Sequence, residues 1–251
     1  MSLETVIGMY RSLLATFRHE RQSPIDILTS ETLIDPEQCK VTDFQLNYNE
    51  GDAEELEISE AICRVNMKAS AESCVTASHL PGVFKLEQFH FHWGEDSSVG
   101  SEHRINGHQF PGEAHFVFYN GKYSNFDEAA HNPDGLAVVA VFLKEGEYND
   151  AYNHVTSRIR KALERNGKIE MDEYLDVNLM MPHDKSYFTY DGSLTTPPHS
   201  ENVKWTVMMN PVQLSAKQLN TFRLITKANY RNCQYLAGRT ILCSKKDTNK
   251  W

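Results

Sequence analysis

The sequence predicts a single, mainly β domain with a few short helices at its periphery. Apolar and polar residues alternate over residues 44–48, 89–93 and 113–119, which is typical of strands that bury one face. Helical spacing of apolar residues is found in one N-terminal and two interior segments. No repeat, low-complexity linker or change of composition divides the 251 residues, and that length fits one large domain.

In the first third of the chain, one helix is followed by extended segments. Apolar residues recur at helical spacing over residues 3–18, which predicts an amphipathic helix. Pro24 then marks an extended or edge segment, because the residue before a proline disfavours the helical conformation. Residues 41–83 are strand-like, with clear alternation at 44–48 and poorer alternation at 58–65.

The rest of the chain alternates strands with two helices. The helix predicted over residues 149–164 ends before Gly167, and the helix over 215–225 begins with a capping box of Ser215 and Gln218. Prolines fix a loop at residues 192–198. The predicted strands cover residues 83–93, 113–119, 136–143 and 203–207, and the continuous apolar run at 136–143 indicates a strand buried on both faces.

Composition excludes several classes of partner. The formal net charge is -9 and no basic run is present, which argues against nucleic acid as a partner. No stretch approaches the ~20 consecutive apolar residues that span a bilayer, so we expect no membrane span. Hydrophobic residues make up 40% of the chain and charged residues 24%, as in ordinary soluble globular proteins.

Cysteine usage and the N-terminus favour a cytoplasmic protein. The five cysteines are scattered, odd in number and form no C-x-x-C pair, which argues against a zinc ribbon and a full disulfide framework. We therefore expect free, mostly buried thiols in a reducing compartment. The first 20 residues lack the apolar core and small-residue cleavage site of a signal peptide.

Two histidines stand two positions apart in the strand predicted at 83–93. Alternate side chains of a strand share a face and lie roughly 7 Å apart, so His90 and His92 can reach one ion at the ~2.0–2.1 Å of a zinc–nitrogen bond. Phe89, Phe91 and Trp93 would pack on the opposite face. Taken alone, two histidines spaced in this way in a strand are more often partly buried and hydrogen-bonded than ligands of a metal.

A third histidine completes a possible metal site. The polar segment after His92 shows no helical periodicity, so the strand that carries His115 can return antiparallel beside the first and face both histidines. Three protein ligands leave one position open for water, as in catalytic zinc sites. Gln88 and Glu113 each precede a histidine by two positions, so each can accept a hydrogen bond from that imidazole ring.

Several motifs in the same order resemble the α-class carbonic anhydrases, from residue 22 to about residue 244. The motifs are Gln22-Ser23-Pro24-Ile25-Asp26-Ile27, Gln88-Phe89-His90-Phe91-His92-Trp93-Gly94, Gly100-Ser101-Glu102-His103, Glu113-Ala114-His115, Asp134-Gly135-Leu136-Ala137-Val138 and Ser193-Leu194-Thr195-Thr196-Pro197-Pro198. The resemblance implies a central twisted, mostly antiparallel sheet of about ten strands. It assigns residues 21–251 to the carbonic anhydrase domain and leaves 1–20 as a helical extension.

The resemblance also implies a set of metal-site residues. The implied ligands of Zn²⁺ are His90, His92 and His115. Four further residues are implied to support them, namely Gln88, Glu113, Asn229 and His103. Asn229 corresponds to a position whose backbone carbonyl accepts a hydrogen bond from His92.

The implied catalytic pair is Thr195 and Glu102. A carboxylate only accepts hydrogen bonds, so the Thr195 hydroxyl donates a hydrogen bond to Glu102, and the Thr195 oxygen accepts one from zinc-bound hydroxide. The resemblance implies an apolar wall for the substrate, which suits a neutral gas. It also implies that the Thr195 backbone N–H marks the deeper part of the substrate pocket and that Thr196 lies on its polar side. The wall consists of Val117, Val138, Leu194 and Trp205.

The implied reaction is the reversible hydration of carbon dioxide by zinc-bound hydroxide, giving bicarbonate and a proton. Carbon dioxide, bicarbonate and water are then the partners, and sulfonamide-type or anion inhibitors are expected at zinc. Two alternatives remain: a non-catalytic carbonic-anhydrase-like binding module, and a structural zinc site. The second needs a fourth protein ligand, for which His79, His108 and His199 are candidates.

The sequence departs from the family's pattern in three places. Efficient members carry a proton-shuttle histidine where this chain has Glu60 or Ala61, so we hypothesise slow proton export. The family's aromatic- and glycine-rich N-terminal segment is replaced by the predicted helix at 3–18. His199 stands where secreted members usually have a disulfide cysteine, which favours the cytoplasm.

Overall fold

The fold is described by a computed structural model that covers residues 20–247. The helix predicted at 3–18 lies outside these residues. The fifteen strands of the described part are β1 Asp26–Ile27, β2 Leu33–Ile34, β3 Gln45–Asn47, β4 Ala53–Ser59, β5 Ile62–Met67, β6 Cys74–Thr76, β7 Phe84–Trp93, β8 Arg104–Ile105, β9 Gly112–Asn120, β10 Leu136–Glu145, β11 Lys168–Glu170, β12 Tyr187–Gly192, β13 Val203–Met208, β14 Val212–Leu214 and β15 Leu242–Cys243.

Thirteen of these strands form one sheet, in the order β11-β4-β5-β7-β9-β10-β13-β12-β15-β2, with β14 beside β10 and β6 joining β3 to β7. Neighbouring strands in this sheet are antiparallel, except for the parallel pairs β10–β13, β10–β14 and β15–β2. The predicted mainly β class is therefore confirmed. The resemblance implied about ten strands, and the larger count here includes several strands of only two or three residues.

Three helices pack around the sheet within residues 20–247. They are α1 Phe126–Ala130, α2 Asp150–Leu163 and α3 Ala216–Phe222. Both predicted interior helices are confirmed, and the Ser215–Gln218 capping box is present. Helix α1 was not predicted, because five residues are too few to show a 3.6-residue period.

One local prediction needs correction, and one strand was not predicted. The poorly alternating segment at 58–65 is not one strand region but the hairpin of β4 and β5, turning at Glu60 with a positive φ of 52°. No Asn-Gly or similar dipeptide marks that turn, so sequence alone misses it. Strand β12, which precedes the loop predicted at 192–198, was not predicted because its buried residues do not alternate with exposed ones. All five cysteines are free thiols, as expected.

The face of β7 opposite the histidines lies in a hydrophobic core, as the alternation predicts. Phe89, Phe91 and Trp93 are at most 1% exposed. Phe89 stacks on Phe116 at 5.3 Å between ring centroids, and Phe222 of α3 packs on Phe91 at 4.9 Å. Burial of a side chain of this size contributes about 1.5–3 kcal/mol, so this layer anchors the strand that carries two histidines.

The turn after β7 depends on a glycine. Gly100 has a φ of +147°, and a Cβ there would lie 2.1 Å from the carbonyl oxygen of Pro111. That close approach allows the Ser101 backbone N–H to bond to the Phe110 carbonyl at 2.8 Å. The glycine thereby fixes the path of the chain that leads into Glu102 and His103.

His79 forms a separate hydrogen-bonded cluster on the sheet. Its Nδ1 lies 2.9 Å from the Tyr187 hydroxyl, and its Nε2 lies 2.7 Å from Oγ1 of Thr206. Burial, assisted by the positive charge of Lys204, lowers the pKa of His79 to about 3. The imidazole is therefore neutral in the folded protein around neutral pH.

This pKa predicts acid-sensitive stability. An unfolded histidine takes up a proton below pH ~6.5, whereas folded His79 does not, so the free energy of unfolding falls as pH drops from 6.5 towards 3. Between pH 7.5 and 5.0 the expected loss from this group is roughly 2 kcal/mol. Urea unfolding of the wild type and His79→Gln, both zinc-free, should show the variant losing less over this interval. Equal losses in the two proteins would contradict the assignment.

Candidate metal centre and its cleft

Strands β7 and β9 bring three imidazoles together. The strands are antiparallel, with His90 directly opposite His115 in the register, and His92 lies two positions along the same face. Their possible ligand nitrogens all lie within 4.8 Å of one another. His92 and His115 are 4% and 1% exposed, respectively. The predicted juxtaposition of the three histidines is therefore present.

Acceptors behind two of the rings determine which nitrogen carries the proton. The side-chain oxygen of Gln88 lies 2.9 Å from Nδ1 of His90, and the backbone carbonyl of Asn229 lies 3.2 Å from Nδ1 of His92. Carbonyl oxygens only accept, so each Nδ1 carries a hydrogen and each Nε2 presents a lone pair. The Nε2 of His92 is buried and has no hydrogen-bond partner among residues 20–247.

Glu113 does the same for the third ring, with the two nitrogens exchanged. Its Oε1 accepts from Nε2 of His115 at 2.7 Å, which leaves Nδ1 of His115 bare. The same oxygen accepts from Nδ1 of His103 at 2.7 Å. Oε2 of Glu113 accepts from the backbone N–H groups of Glu102 and His103. His103 thus supports the site through Glu113.

The charge states of these residues suit the binding of a cation. Burial, followed by the neighbouring imidazoles, holds the pKa of His90 well below its usual range, and burial lowers the pKa of His92. Burial alone would raise the pKa of Glu113, but His103 and His115 outweigh it and hold that pKa well below its usual range. Three neutral rings with bare nitrogens backed by one carboxylate fit a zinc ion.

Glu102 lies beside the histidines and is 2% exposed. Its Oε1 accepts from the Arg231 backbone N–H at 2.8 Å and lies 3.4 Å from Nδ1 of His92. Its Oε2 is buried without a hydrogen-bond partner in the described part of the chain. The expected bond from Thr195 is therefore not formed here, and the oxygen that would accept it is available.

A cleft of about 400 Å³ opens in front of the histidines. The four residues of the expected apolar wall and both threonines line it together with His90 and His115; they are Val117, Val138, Leu194, Trp205, Thr195 and Thr196. Neither His79, His108 nor His199 belongs to a potential metal-binding group within residues 20–247. Within the described residues, no fourth histidine therefore joins the three-histidine group.

Comparison with known proteins now decides the family. The sequence model of eukaryotic-type carbonic anhydrases matches residues 11–245. The chain belongs to this family.

Named relatives cover nearly the whole chain. Human carbonic anhydrase 7 is 36% identical over 246 residues, which cover 90% of this chain and 89% of that protein. Carbonic anhydrase 1 of Monodelphis domestica is 36% identical, with 90% of each chain covered, and mitochondrial carbonic anhydrase 5A of Rattus norvegicus is 33% identical, with 89% and 77% covered. The predicted enzyme class, a carbonic anhydrase and hence a lyase, is confirmed.

The cellular location of the protein is not determined by its family. Among residues 20–247, no helix is long and apolar enough to cross a membrane. One of the relatives is named as mitochondrial. The cytoplasmic location stays a prediction.

The carbonic anhydrase cleft contains residues that the sequence did not reveal. Arg64 lies directly opposite His90 on β5, lines the cleft and bonds to Glu57 at 2.5 Å. Phe126, the first residue of α1, and His131, which follows the helix, also line the cleft. Their positions follow from strand register and from a very short helix, neither of which leaves a local sequence signal.

The structure also resolves which hairpin residue faces the centre. Ala61 lines the pocket beside His90 and His92, and its carbonyl accepts from the side chain of Asn229 at 2.8 Å. Glu60 is exposed at the turn and is not among the pocket residues. Of the two candidates for the shuttle position, the one that faces the site is an alanine.

The Gln88 contact predicts a selective loss of metal affinity. In Gln88→Ala the His90 ring loses the acceptor that fixes its tautomer, and loss of such a partner typically costs 10–100-fold in affinity. We expect zinc to bind about tenfold more weakly, measured by competition with a chromophoric chelator. Gln45→Ala, which changes an exposed glutamine whose side chain donates to the Thr42 carbonyl, is the matched control. Equal zinc affinity in all three proteins would contradict this role.

Proposed function

We propose that this chain catalyses the reversible hydration of carbon dioxide to bicarbonate and a proton, with Zn²⁺ held by His90, His92 and His115. One observation carries the proposal. The three imidazoles are fixed by acceptors, their possible ligand nitrogens lie within 4.8 Å of one another, and His90 and His115 line a cleft with an apolar wall. Membership of the carbonic anhydrase family supports it.

Neutral ligands leave the full positive charge on the metal. When bound, zinc would act as a Lewis acid that lowers the pKa of a water and makes it a nucleophile near neutral pH, an effect for which carbonic anhydrases are the standard example. Gln88, Asn229 and Glu113 hold the rings in position for that charge. Glu113 also places a negative charge behind His115, which makes that ring a better donor.

Thr195 and Glu102 would orient the reacting water. The free Oε2 of Glu102 can only accept, so the Thr195 hydroxyl must donate to it. The Thr195 oxygen then accepts a hydrogen from the reacting water and leaves a lone pair of that water facing the substrate carbon. Arg231 supports this geometry because its backbone N–H holds the other Glu102 oxygen.

The apolar wall would hold the substrate. Carbon dioxide is neutral and needs no charged partner, so Val117, Val138 and Trp205, each at most 2% exposed, offer a suitable surface. Leu194 closes the wall beside the threonines, and the Thr195 backbone N–H marks its deeper end. Thr196 lies at the cleft and offers a hydroxyl to the more polar product.

We propose that proton export is the slow step. Hydration leaves one proton to be passed to solvent in each cycle. The hairpin residue that faces the centre is Ala61, which has no group that can carry a proton. Glu60 is an exposed turn residue and is not among the residues that line the cleft.

The alternative is a non-catalytic binding module of the same fold. It is disfavoured because the ligand set, Glu102 and Thr195 are all present. A structural zinc site is disfavoured because no fourth histidine or cysteine joins the group within residues 20–247.

Zinc removal tests the proposed function. We expect one zinc per chain and stopped-flow carbon dioxide hydration that is lost on chelation, restored by zinc and inhibited by an aryl sulfonamide. His92→Ala should lose both zinc and hydration, because two remaining rings hold the ion poorly. His183→Ala changes an exposed histidine outside the cleft and should retain both. One zinc per chain without sulfonamide-sensitive hydration would instead establish the binding module.

Buffer dependence tests the slow export of protons. If proton transfer from the centre to solvent is slow, kcat should rise several-fold as imidazole is added at constant pH and ionic strength. The reason is that imidazole acts as a mobile proton acceptor where the hairpin has none. The ratio kcat/KM should stay constant, since it contains no step after bicarbonate leaves. A kcat that is already maximal in dilute buffer would show that export does not limit turnover.

A further inference from the structure

One imidazole in the cleft has no role in holding the metal. His131 follows α1, lines the same cleft as His90 and His115, and is exposed to solvent. Among the residues that line this cleft, the titratable groups other than the proposed ligands are Arg64 and His131. A guanidinium does not give up its proton in proteins, so His131 is the base that the cleft offers.

The structure fixes the tautomer of His131. Its Nδ1 lies 2.7 Å from the backbone carbonyl of Asp127, one helical turn earlier. The carbonyl can only accept, so Nδ1 carries the hydrogen and Nε2 presents a lone pair. The backbone N–H of His131 also bonds to the carbonyls of Glu128 and Ala129, which holds the residue at the end of the helix.

We propose that His131 is the proton-transfer residue of this enzyme, a role that rests on the proposed hydration function. A proton released at the metal centre would move through water in the cleft to Nε2 of neutral His131. The imidazolium keeps its Nδ1–H bond to the Asp127 carbonyl, and a buffer base in solvent then takes the Nε2 proton. Each cycle returns His131 to its neutral form, so protons and charge balance.

The route differs from one through the hairpin. Ala61 lies in the turn before β5 and lines the pocket beside His90 and His92, whereas His131 follows α1 and lines the main cleft. His199, the other histidine near the threonine loop, is not among the cleft-lining residues, and its Nδ1 lies 3.3 Å from the Leu194 carbonyl. Export through a solvent-exposed rim residue is consistent with turnover that buffer can still accelerate.

The test is a pair of variants assayed for carbon dioxide hydration in dilute buffer. We expect His131→Ala to lower kcat about tenfold with kcat/KM unchanged, and imidazole to restore kcat to the wild-type ceiling. His131→Gln can still donate to the Asp127 carbonyl but cannot take up a proton, so it should behave like His131→Ala. His183→Ala, which changes an exposed histidine outside the cleft lining, should match the wild type.

These outcomes separate the inference from the function on which it rests. A wild-type protein without hydration would overturn the proposed function. Wild-type hydration with an unchanged kcat in His131→Ala would overturn the role of His131 alone, and full activity of His131→Gln would make that role structural. Nitrogen-15 spectra of zinc-free protein, assigned by the signal missing in His131→Ala, should show the Nδ1–H tautomer. The Nε2–H tautomer would contradict the proposed geometry.

Discussion

The metal centre depends on one buried carboxylate. Glu113 accepts four N–H donors, two from the backbone at Glu102 and His103 and two from the rings of His103 and His115. A buried charge without such partners costs several kcal/mol, so the donors and the carboxylate require one another. Because Glu113 lies on β9 and its backbone donors lie in the loop after β7, this interaction fixes the loop against the sheet. It therefore positions Glu102 beside His92 at the same time as it sets the tautomer of His115.

The network extends to parts of the chain that have no chemistry of their own. His103 donates Nδ1–H to Glu113, so its Nε2, 2.7 Å from the Tyr190 hydroxyl, accepts from that tyrosine. The Tyr190 oxygen then accepts from the Ser23 hydroxyl at 2.9 Å, and Ser23 exchanges further bonds with Ser193. The order of donors is thus set from the carboxylate outward. The motifs around Ser23, Glu102 and Ser193 meet in space, which gives a physical reason for residues whose roles the sequence could not show.

Local alternation was enough to predict the central part of the site. It placed His90 and His92 on one face of β7 with the aromatic residues on the other, and it allowed His115 to return opposite them. What it could not supply was register between strands, which brings Arg64 beside His90, and the end of a five-residue helix, which brings His131 to the cleft. The Thr195–Glu102 pair came from family resemblance, because no pattern of spacing connects a loop after β12 with a turn after β7. Long-range pairing of this kind is decided by packing of the whole sheet, so a single sequence carries little trace of it.

The same device serves two kinds of chemistry in this cleft. An oxygen acceptor fixes the tautomer of each of four rings: Gln88 for His90, Asn229 for His92, Glu113 for His115 and the Asp127 carbonyl for His131. Burial decides what the bare nitrogen can do. His90 and His92 lie where the charged form is poorly solvated, so their lone pairs are kept for a metal, whereas an exposed ring such as His131 keeps the water that an imidazolium needs. The proposed metal ligands lie on the sheet, whereas the proposed proton acceptor is exposed. Because the hairpin residue that faces the centre is Ala61, which cannot accept a proton, His131 after α1 is the residue of the cleft that can.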